Sequence, residues 1–228
     1  MLRDPDNIER QFLHNLLGPD AGKVLEIGCG DGRLTAELAR VSDYILGLEP
    51  DPVSIEKARH LEGGGIRFTL GSGQDIPASD SIFDTVAFSL SLHHHPEPGA
   101  ALMEARRVLK DGGRILVLEP EAEAPTNRLY SLIHYEDDAY ENAAAAILVS
   151  GLTAVDEGTY ETLWRFDDFM KLVEYLFDYF EMEPDPRIVD DMALYLGSRR
   201  DSKPLDMVDI TRYWLLEVPS TDGKDQVP

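Results

Sequence analysis

The chain has 228 residues, of which 43% are hydrophobic, so it is long enough for one well-packed domain. Its formal net charge of −22 disfavours nucleic acid and anionic membranes as partners, because both repel an acidic surface at long range. No apolar run approaches the roughly 20 residues of a membrane span, the first residues lack a signal-peptide pattern, and the single Cys29 excludes an internal disulfide, so we expect a cytoplasmic protein.

The predicted elements begin with an entry helix over 4–17, which carries an apolar stripe and ends at Gly18-Pro19. Strands are predicted at 23–27, 44–48, 66–70, 83–88 and 113–118, with helices at 33–40, 52–60 and 98–110 between them. Nearly all-apolar strands that alternate with helices are typical of a parallel α/β sheet covered on both faces.

The pattern changes after Pro120. Helices are predicted over 126–149 and 166–180, and a last strand over 209–218, with 180–183 as a candidate neighbouring strand. We therefore expect a single domain over 1–228. Its parts are an entry helix at 1–20, a cofactor-binding core at 21–119, a substrate cap at 120–185, a C-terminal completion of the sheet at 186–218 and a disordered tail at 219–228.

A glycine-rich turn directly follows the first of the alternating strands. Glycines at 28, 30 and 32 allow a sharp turn and a close approach of the backbone to a ligand. Alone, this turn fits several nucleotide cofactors, but dinucleotide sites usually have the spacing G-x-G-x-x-G, and no glycine stands at Arg33. Glu49 ends the second of these strands, where a carboxylate can accept from both hydroxyls of a ribose.

Several motifs occur in order: VLEIGCGDG at 24–32, Glu49, GSGQDIP at 71–77, Phe83-Asp84, LHHH at 92–95 and ARRVLKDGG at 105–113. With them the chain resembles the class I S-adenosylmethionine-dependent methyltransferases, in particular the ubiquinone/menaquinone-type group. The resemblance covers residues 1 to about 119. It implies a Rossmann-like, doubly wound, mostly parallel seven-stranded sheet with a helical cap inserted after the fifth strand.

The resemblance also implies which residues bind S-adenosylmethionine. They are Glu26, Gly28, Cys29, Gly30 and Gly32 around the methionine part, Glu49 with Pro50 at the ribose, Ser72, Gly73, Gln74 and Asp75 at the adenine, and Ser89 below the cofactor. One residue departs from the pattern, because the family commonly has an aspartate where Ser72 stands. Ser72, Gln74 or Asp75 then has to replace its contact with the adenine amino group, although Asp75 is equally well explained as the cap of a short turn.

Methyl transfer from a sulfonium mainly requires that the acceptor atom be held in line with the methyl group. A general base helps when the acceptor must lose a proton, and histidine suits this role at neutral pH. The candidates are His94 and His95, which follow the fourth alternating strand, and His134 in the cap. Adjacent histidines on one loop rarely converge on one ion, so no metal site is predicted.

The segment 130–141 is rich in aromatic and charged residues. If it is helical, one face carries Tyr130, His134, either Asp137 or Asp138, and Glu141. We predict that Tyr130, Tyr135 and Asp138 contact a small-molecule acceptor, and the acidic excess in 120–228 allows this acceptor to be a cation. An exposed charged helix explains the same residues without a ligand. A homodimer is also compatible with the sequence.

Two other functions stay open at this point. A nicotinamide-dependent oxidoreductase would account for the glycine turn and Glu49, although the glycine spacing and the later motifs disfavour it. A non-catalytic S-adenosylmethionine-binding protein of the same fold would account for all the motifs, because none of them establishes an acceptor site.

Overall fold

The computed structural model describes residues 1–219, apart from the side chain of Asp137. The predicted tail from Ser220 lies outside the described residues. The strands are β1 (Leu2–Arg3), β2 (Lys23–Ile27), β3 (Tyr44–Glu49), β4 (Ile66–Leu70), β5 (Phe83–Ser89), β6 (Leu109–Pro120), β7 (Thr153–Phe166) and β8 (Leu205–Glu217). The helices are α1 (Ile8–Leu17), α2 (Arg33–Leu38), α3 (Pro52–Ala58), α4 (Pro98–Val108), α5 (Pro125–Tyr130), α6 (Asp137–Val149), α7 (Phe169–Tyr179) and α8 (Pro186–Leu196).

The eight strands form one sheet in the order β1-β7-β8-β6-β5-β2-β3-β4. The neighbours from β6 to β4 pair in parallel, as their alternation with helices predicted. β1 pairs antiparallel with β7. The α/β Rossmann-like prediction is therefore confirmed, but the prediction of seven mostly parallel strands is wrong, because the sheet is mixed and has eight.

The chain forms two compact units. Among the described residues, unit 2 consists of 13–119, 141–158 and 213–219, and unit 1 of 1–12, 120–140 and 159–212. The predicted division of the chain into consecutive parts stays a prediction.

The parallel part of the sheet belongs to unit 2. Its core consists of the apolar side chains of β2, β5 and β6 together with those of α4, among them Leu25, Phe88, Leu102 and Ile115. β2 lies between β3 and β5, and its Val24, Leu25 and Ile27 are buried. The carboxyl ends of these parallel strands meet at one edge of the sheet, which is where open α/β sheets bind ligands.

Unit 1 has a separate core. It is formed by Leu129 of α5, Trp164 and Phe166 of β7, and apolar side chains of α7 and α8. Along β7 the buried residues alternate: Tyr160, Thr162, Trp164 and Phe166 are buried, as the two-residue period of a strand requires. The cap segment was predicted to be helical, and this strand within it was not predicted.

Three further predictions after Pro120 are wrong. Residues 180–183 are not a strand, because α7 ends at Tyr179 and a turn follows. Residues 186–196 form α8 rather than part of the sheet. The helix predicted over 126–149 is divided into α5 and α6 by the non-helical residues 131–136.

No helix among the described residues combines the length and the apolarity that are needed to cross a membrane.

Candidate cofactor site

A cavity of about 220 Å³ lies in unit 2 at the carboxyl ends of β2, β3, β4 and β5. Of the predicted site residues, it brings together Gly28, Glu49, Pro50, Ser72, Gly73, Gln74, His94 and His95. The remaining lining residues, which the sequence did not single out, are Ile27, Gly71, Ser91 and Pro96. All of them come from strand ends or from the loops that follow.

The glycine turn after β2 has the backbone that its sequence predicted. Gly28, Gly30 and Gly32 all have positive φ, at 72°, 54° and 88°. A Cβ atom at Gly28 would lie 2.2 Å from Cβ of Ser91, and one at Gly32 would lie 2.7 Å from Leu61. The turn therefore needs these two glycines for its own packing as well as for its dihedral angles, and of the three only Gly28 lines the cavity.

Glu49 is fixed by backbone groups at the end of β3. Its Oε2 accepts from the backbone N–H of Gly30 at 3.0 Å, and its Oε1 accepts from that of Asp51 at 3.1 Å. Asp51 in turn caps α3, because its carboxylate accepts from the N–H groups of Val53 and Ser54. Each carboxylate oxygen can accept more than one hydrogen bond, so both Glu49 oxygens keep capacity for a ligand hydroxyl.

The loop after β4 forms another wall of the cavity. The hydroxyl of Ser72 accepts from the N–H of Gln74 at 3.2 Å, and the N–H of Asp75 donates to the carbonyl of Ser72 at 3.1 Å. Asp75 is exposed and does not line the cavity. The loop therefore presents Ser72, Gly73 and Gln74 to a ligand.

Two residues of α4 hold the chain just beyond this loop. A carboxylate oxygen of Glu104 accepts from the N–H of Ile76 at 3.1 Å, while Arg107 donates to the carbonyls of Ile76 and Ala78 at 3.0 and 2.8 Å. Arg107 also donates to both carboxylate oxygens of Glu104, which holds the pKa of Glu104 below its usual value. We call Glu104 and Arg107 the clamp, and their contacts with the chain at Ile76 and Ala78 were not predicted from the sequence.

The histidine loop after β5 is held by a buried carboxylate. Glu119, near the end of β6, is 2% exposed, and its Oε1 accepts from the N–H groups of Leu92 and His93 at 2.9 and 3.3 Å. Its Oε2 contacts Nδ1 of the buried His93. The role of Glu119 in holding the histidine loop was not predicted. Its signal in the sequence is an acidic residue directly after the apolar run 115–118.

The three histidines differ in their surroundings. His93 is buried on Glu119, His94 is exposed and lines the cavity, and His95 is half-buried and lines it too. Nδ1 of His95 lies 2.9 Å from the carbonyl of Ser91. Because a carbonyl only accepts, Nδ1 carries the proton, and in the neutral ring Nε2 is then an acceptor.

The other predicted cofactor residues lie outside the cavity lining. Glu26 is fully buried in β2 and accepts from the hydroxyl of Thr35 in α2. Cys29 packs with Ile55 and Phe68, and burial raises the pKa of its thiol well above the usual value. The Ser89 hydroxyl is buried at the end of β5 and has no hydrogen-bond partner among residues 1–219.

The predicted acceptor residues lie in unit 1. Tyr130 ends α5 and packs edge-to-face on Trp164, Tyr179 and Phe180, and burial raises the pKa of its hydroxyl. His134 is exposed between α5 and α6, with its ring 6.0 Å from that of Phe180. The predicted helical face that includes Tyr130, His134 and Asp138 does not form, because the chain is not helical between α5 and α6.

Parallel strands with a glycine turn after one strand and an acid at the end of the next are typical of α/β proteins that bind a nucleotide-like cofactor. Residues 25–117 match the family model described as a methyltransferase domain. The match covers less than half of the chain, which is similar in this segment to the class I S-adenosylmethionine-dependent methyltransferases.

Two curated proteins to which the chain is similar are also named as methyltransferases. The chain is similar to a ubiquinone/menaquinone biosynthesis C-methyltransferase from Hahella chejuensis, with 29% identity in an alignment that covers 82% of this chain and 72% of that protein. It is 30% identical over 132 residues to a demethylmenaquinone methyltransferase from Corynebacterium kroppenstedtii, which covers 58% of this chain and 56% of the relative.

A solved structure supports the fold alone. The YcgJ protein from Bacillus subtilis has a TM-score of 0.65 at 18% sequence identity, and the match covers 92% of this chain and 98% of that one.

Proposed function

We propose that the cavity of unit 2 binds S-adenosylmethionine and that the protein transfers the methyl group to a small-molecule acceptor. The observation that carries this proposal is the position of Glu49. Its carboxylate lies at the cavity, each oxygen is oriented by one backbone N–H, and both oxygens can still accept from a ligand. This arrangement fits the two neighbouring hydroxyls of a ribose.

The cofactor, when bound, supplies an electrophilic methyl group. The chain then has to hold the acceptor and, where the acceptor loses a proton, to take that proton. His94 is our first candidate for the base, because it lines the cavity on a loop that Glu119 fixes through two backbone N–H groups. His95 and His134 stay candidates as well.

For the acceptor, we propose a quinol-type ring first. One relative is named for ubiquinone/menaquinone biosynthesis and the other for demethylmenaquinone, and the match covers 72% of the Hahella protein. A cationic acceptor is the second candidate, because the net charge of −22 attracts cations at long range. Contacts of Tyr130, Tyr135 and Asp138 with the acceptor, a homodimer and a cytoplasmic location stay predictions.

Thermal-shift and calorimetric titrations with S-adenosylmethionine, S-adenosylhomocysteine and NAD test the cofactor. We expect both sulfur compounds to raise the unfolding temperature and NAD to leave it unchanged. Binding of NAD alone would support an oxidoreductase instead.

The acceptor is tested by transfer of a labelled methyl group. We expect transfer to a reduced demethylated naphthoquinone and none to primary or tertiary amines, whereas transfer to amines would favour the cationic acceptor. Cofactor binding without transfer to either class would support the non-catalytic alternative.

A further inference from the structure

The strand order divides the cofactor cavity into two ends. Glu49 ends β3, which lies between β2 and β4, so the glycine turn lies on one side of its carboxylate and the loop 71–74 on the other. If Glu49 binds the ribose, as proposed above, the flat base and the charged amino-acid part extend to opposite sides. The side of the loop after β4 is lined mainly by apolar or uncharged groups, including Pro50, Gly71, Gly73 and Pro96, and this suits the base.

The loop after β4 offers no charged acceptor at this end. Ser72 stands where an aspartate was expected, and its hydroxyl oxygen already accepts from the N–H of Gln74 at 3.2 Å. Asp75 is exposed and lies outside the cavity lining. An exocyclic amino group of the base meets only uncharged side-chain acceptors in this loop, Ser72 and Gln74, so a fixed acceptor from another segment would strengthen its binding.

His95 supplies an acceptor at this place. Its ring packs edge-to-face on Phe88, with centroids 5.8 Å apart, and the carbonyl of Ser91 fixes the proton on Nδ1. Nε2 lies so close to the loop that a Cβ atom at Gly73 would be 2.4 Å from it. Among the described residues, Nε2 has no hydrogen-bond partner.

We propose that Nε2 of His95 accepts a hydrogen bond from the exocyclic amino group of the cofactor's adenine, which makes His95 the residue that selects the base. The glycine at position 73 lets the ring reach this position, and Phe88 and Ser91 hold it there. The acceptor that is missing at Ser72 is thus supplied from the loop after β5.

The test compares two probes, S-adenosylhomocysteine and S-inosylhomocysteine, in calorimetric titrations of the full chain. In the inosine compound a carbonyl replaces the exocyclic amino group, so the group that faces Nε2 has no proton to donate. The neighbouring ring nitrogen carries a proton instead. We expect the wild-type protein to prefer the adenine compound by about tenfold or more, since a mismatched buried acceptor loses its hydrogen bond.

Two variants distinguish the contributions of the two ring nitrogens of His95 to this preference. His95→Asn keeps a donor near the position of Nδ1 for the Ser91 carbonyl and lacks Nε2, so the preference should fall to about twofold or less. His95→Gln can present an acceptor near the position of Nε2, so the preference should persist. His60→Asn, at an exposed histidine outside the cavity lining, is the control and should leave the ratio of the two affinities unchanged. Adding Ser72→Asp to His95→Asn should restore the preference.

The outcomes distinguish this inference from the proposed function. If the wild-type protein binds neither probe, the proposed cofactor is wrong. If it binds S-adenosylhomocysteine but His95→Asn keeps the full preference, or if the wild-type protein binds both probes equally, the role of His95 is wrong and the cofactor stands. A loss of turnover in His95→Asn with an unchanged preference would assign His95 to proton transfer instead.

Discussion

In unit 2 the polar side chains of the candidate site are held by backbone groups at strand ends, whereas in unit 1 the predicted acceptor residues pack on aromatic rings or are exposed. Glu49 and Glu119 each accept from two backbone N–H groups. Tyr130 is surrounded by other rings, and Tyr135 is 62% exposed.

This difference concerns how much of each region is already in place before a ligand binds. Carboxylates that are fixed by the main chain lose little conformational freedom on binding, so the candidate cofactor site of unit 2 is preorganised. Exposed side chains such as Tyr135 must be ordered by the ligand itself. We therefore expect substitutions in unit 2 to change stability and cofactor affinity strongly, and those in unit 1 to change turnover modestly.

The largest effect is expected for Glu119→Ala. The substitution leaves two buried N–H groups and the buried His93 ring without their acceptor, so the free energy of unfolding should fall by about 3–5 kcal/mol. Chemical denaturation measures it. The control is Glu123→Ala, whose side chain is 75% exposed and should change stability by no more than about 0.5 kcal/mol. A loss below 1 kcal/mol for Glu119→Ala would show that the histidine loop does not depend on this carboxylate.

The second effect is on cofactor affinity. Glu49→Ala should weaken binding of S-adenosylhomocysteine by about 1.5–3 kcal/mol, the range for hydrogen bonds to a charged group. Calorimetry on the folded variant measures it, with Glu56→Ala on the exposed face of α3 as the control. Unchanged affinity in Glu49→Ala would show that Glu49 does not bind the cofactor. The contrast between fixed polar residues in unit 2 and exposed ones in unit 1 would then not hold.

The sequence predicted most of unit 2, because its signals are local. Apolar strands, a glycine turn and an acid at a strand end each determine structure within a few residues, so β2 to β6 and the place of Glu49 are as expected. The roles of Glu119 and Arg107 were not predicted. Each contacts a segment about 26 to 31 residues away in sequence, and such pairings depend on the assembled sheet.

Unit 1 was predicted less well for the same physical reason. The segment 158–166 contains a two-residue alternation of the buried Tyr160, Thr162, Trp164 and Phe166, but the only element predicted here was the helix that begins at residue 166. β1 has only two residues and exists through its pairing with β7. Neither its length nor its composition predicts a strand.

A third effect concerns pH and the clamp beside the cavity. Arg107 lowers the pKa of Glu104 from its ordinary value of 4.5, so the ionised carboxylate stabilises the fold above that pH, and this contribution is lost as the pH falls through the lowered value. Because the pair is partly exposed, Glu104→Gln should cost only about 1 kcal/mol at pH 7. The gap to the wild-type protein should close as the pH falls below 4.5.

Urea denaturation at pH 7 and at several values below 4.5 measures this gap. Glu56→Gln, in an exposed ion pair with Arg59, is the control and should differ from the wild-type protein by no more than about 0.5 kcal/mol at every pH. A gap for Glu104→Gln that is the same at all pH values would mean that the clamp does not depend on the charge of Glu104.

The smallest effect is expected in unit 1, for His134→Ala. The side chain of His134 is 61% exposed, with Nε2 3.5 Å from Glu136 and its ring near Phe180, so its removal should leave stability and the affinity for S-adenosylhomocysteine unchanged. If it contributes to acceptor binding or proton transfer, turnover should fall by up to about tenfold, below the usual contribution of a well-placed base, because an exposed side chain is poorly fixed. Steady-state kinetics with the acceptor measures this, with His60→Ala as the control. A parallel loss of cofactor affinity would mean instead that unit 1 affects the preorganised site of unit 2, and the contrast between the two regions would not hold.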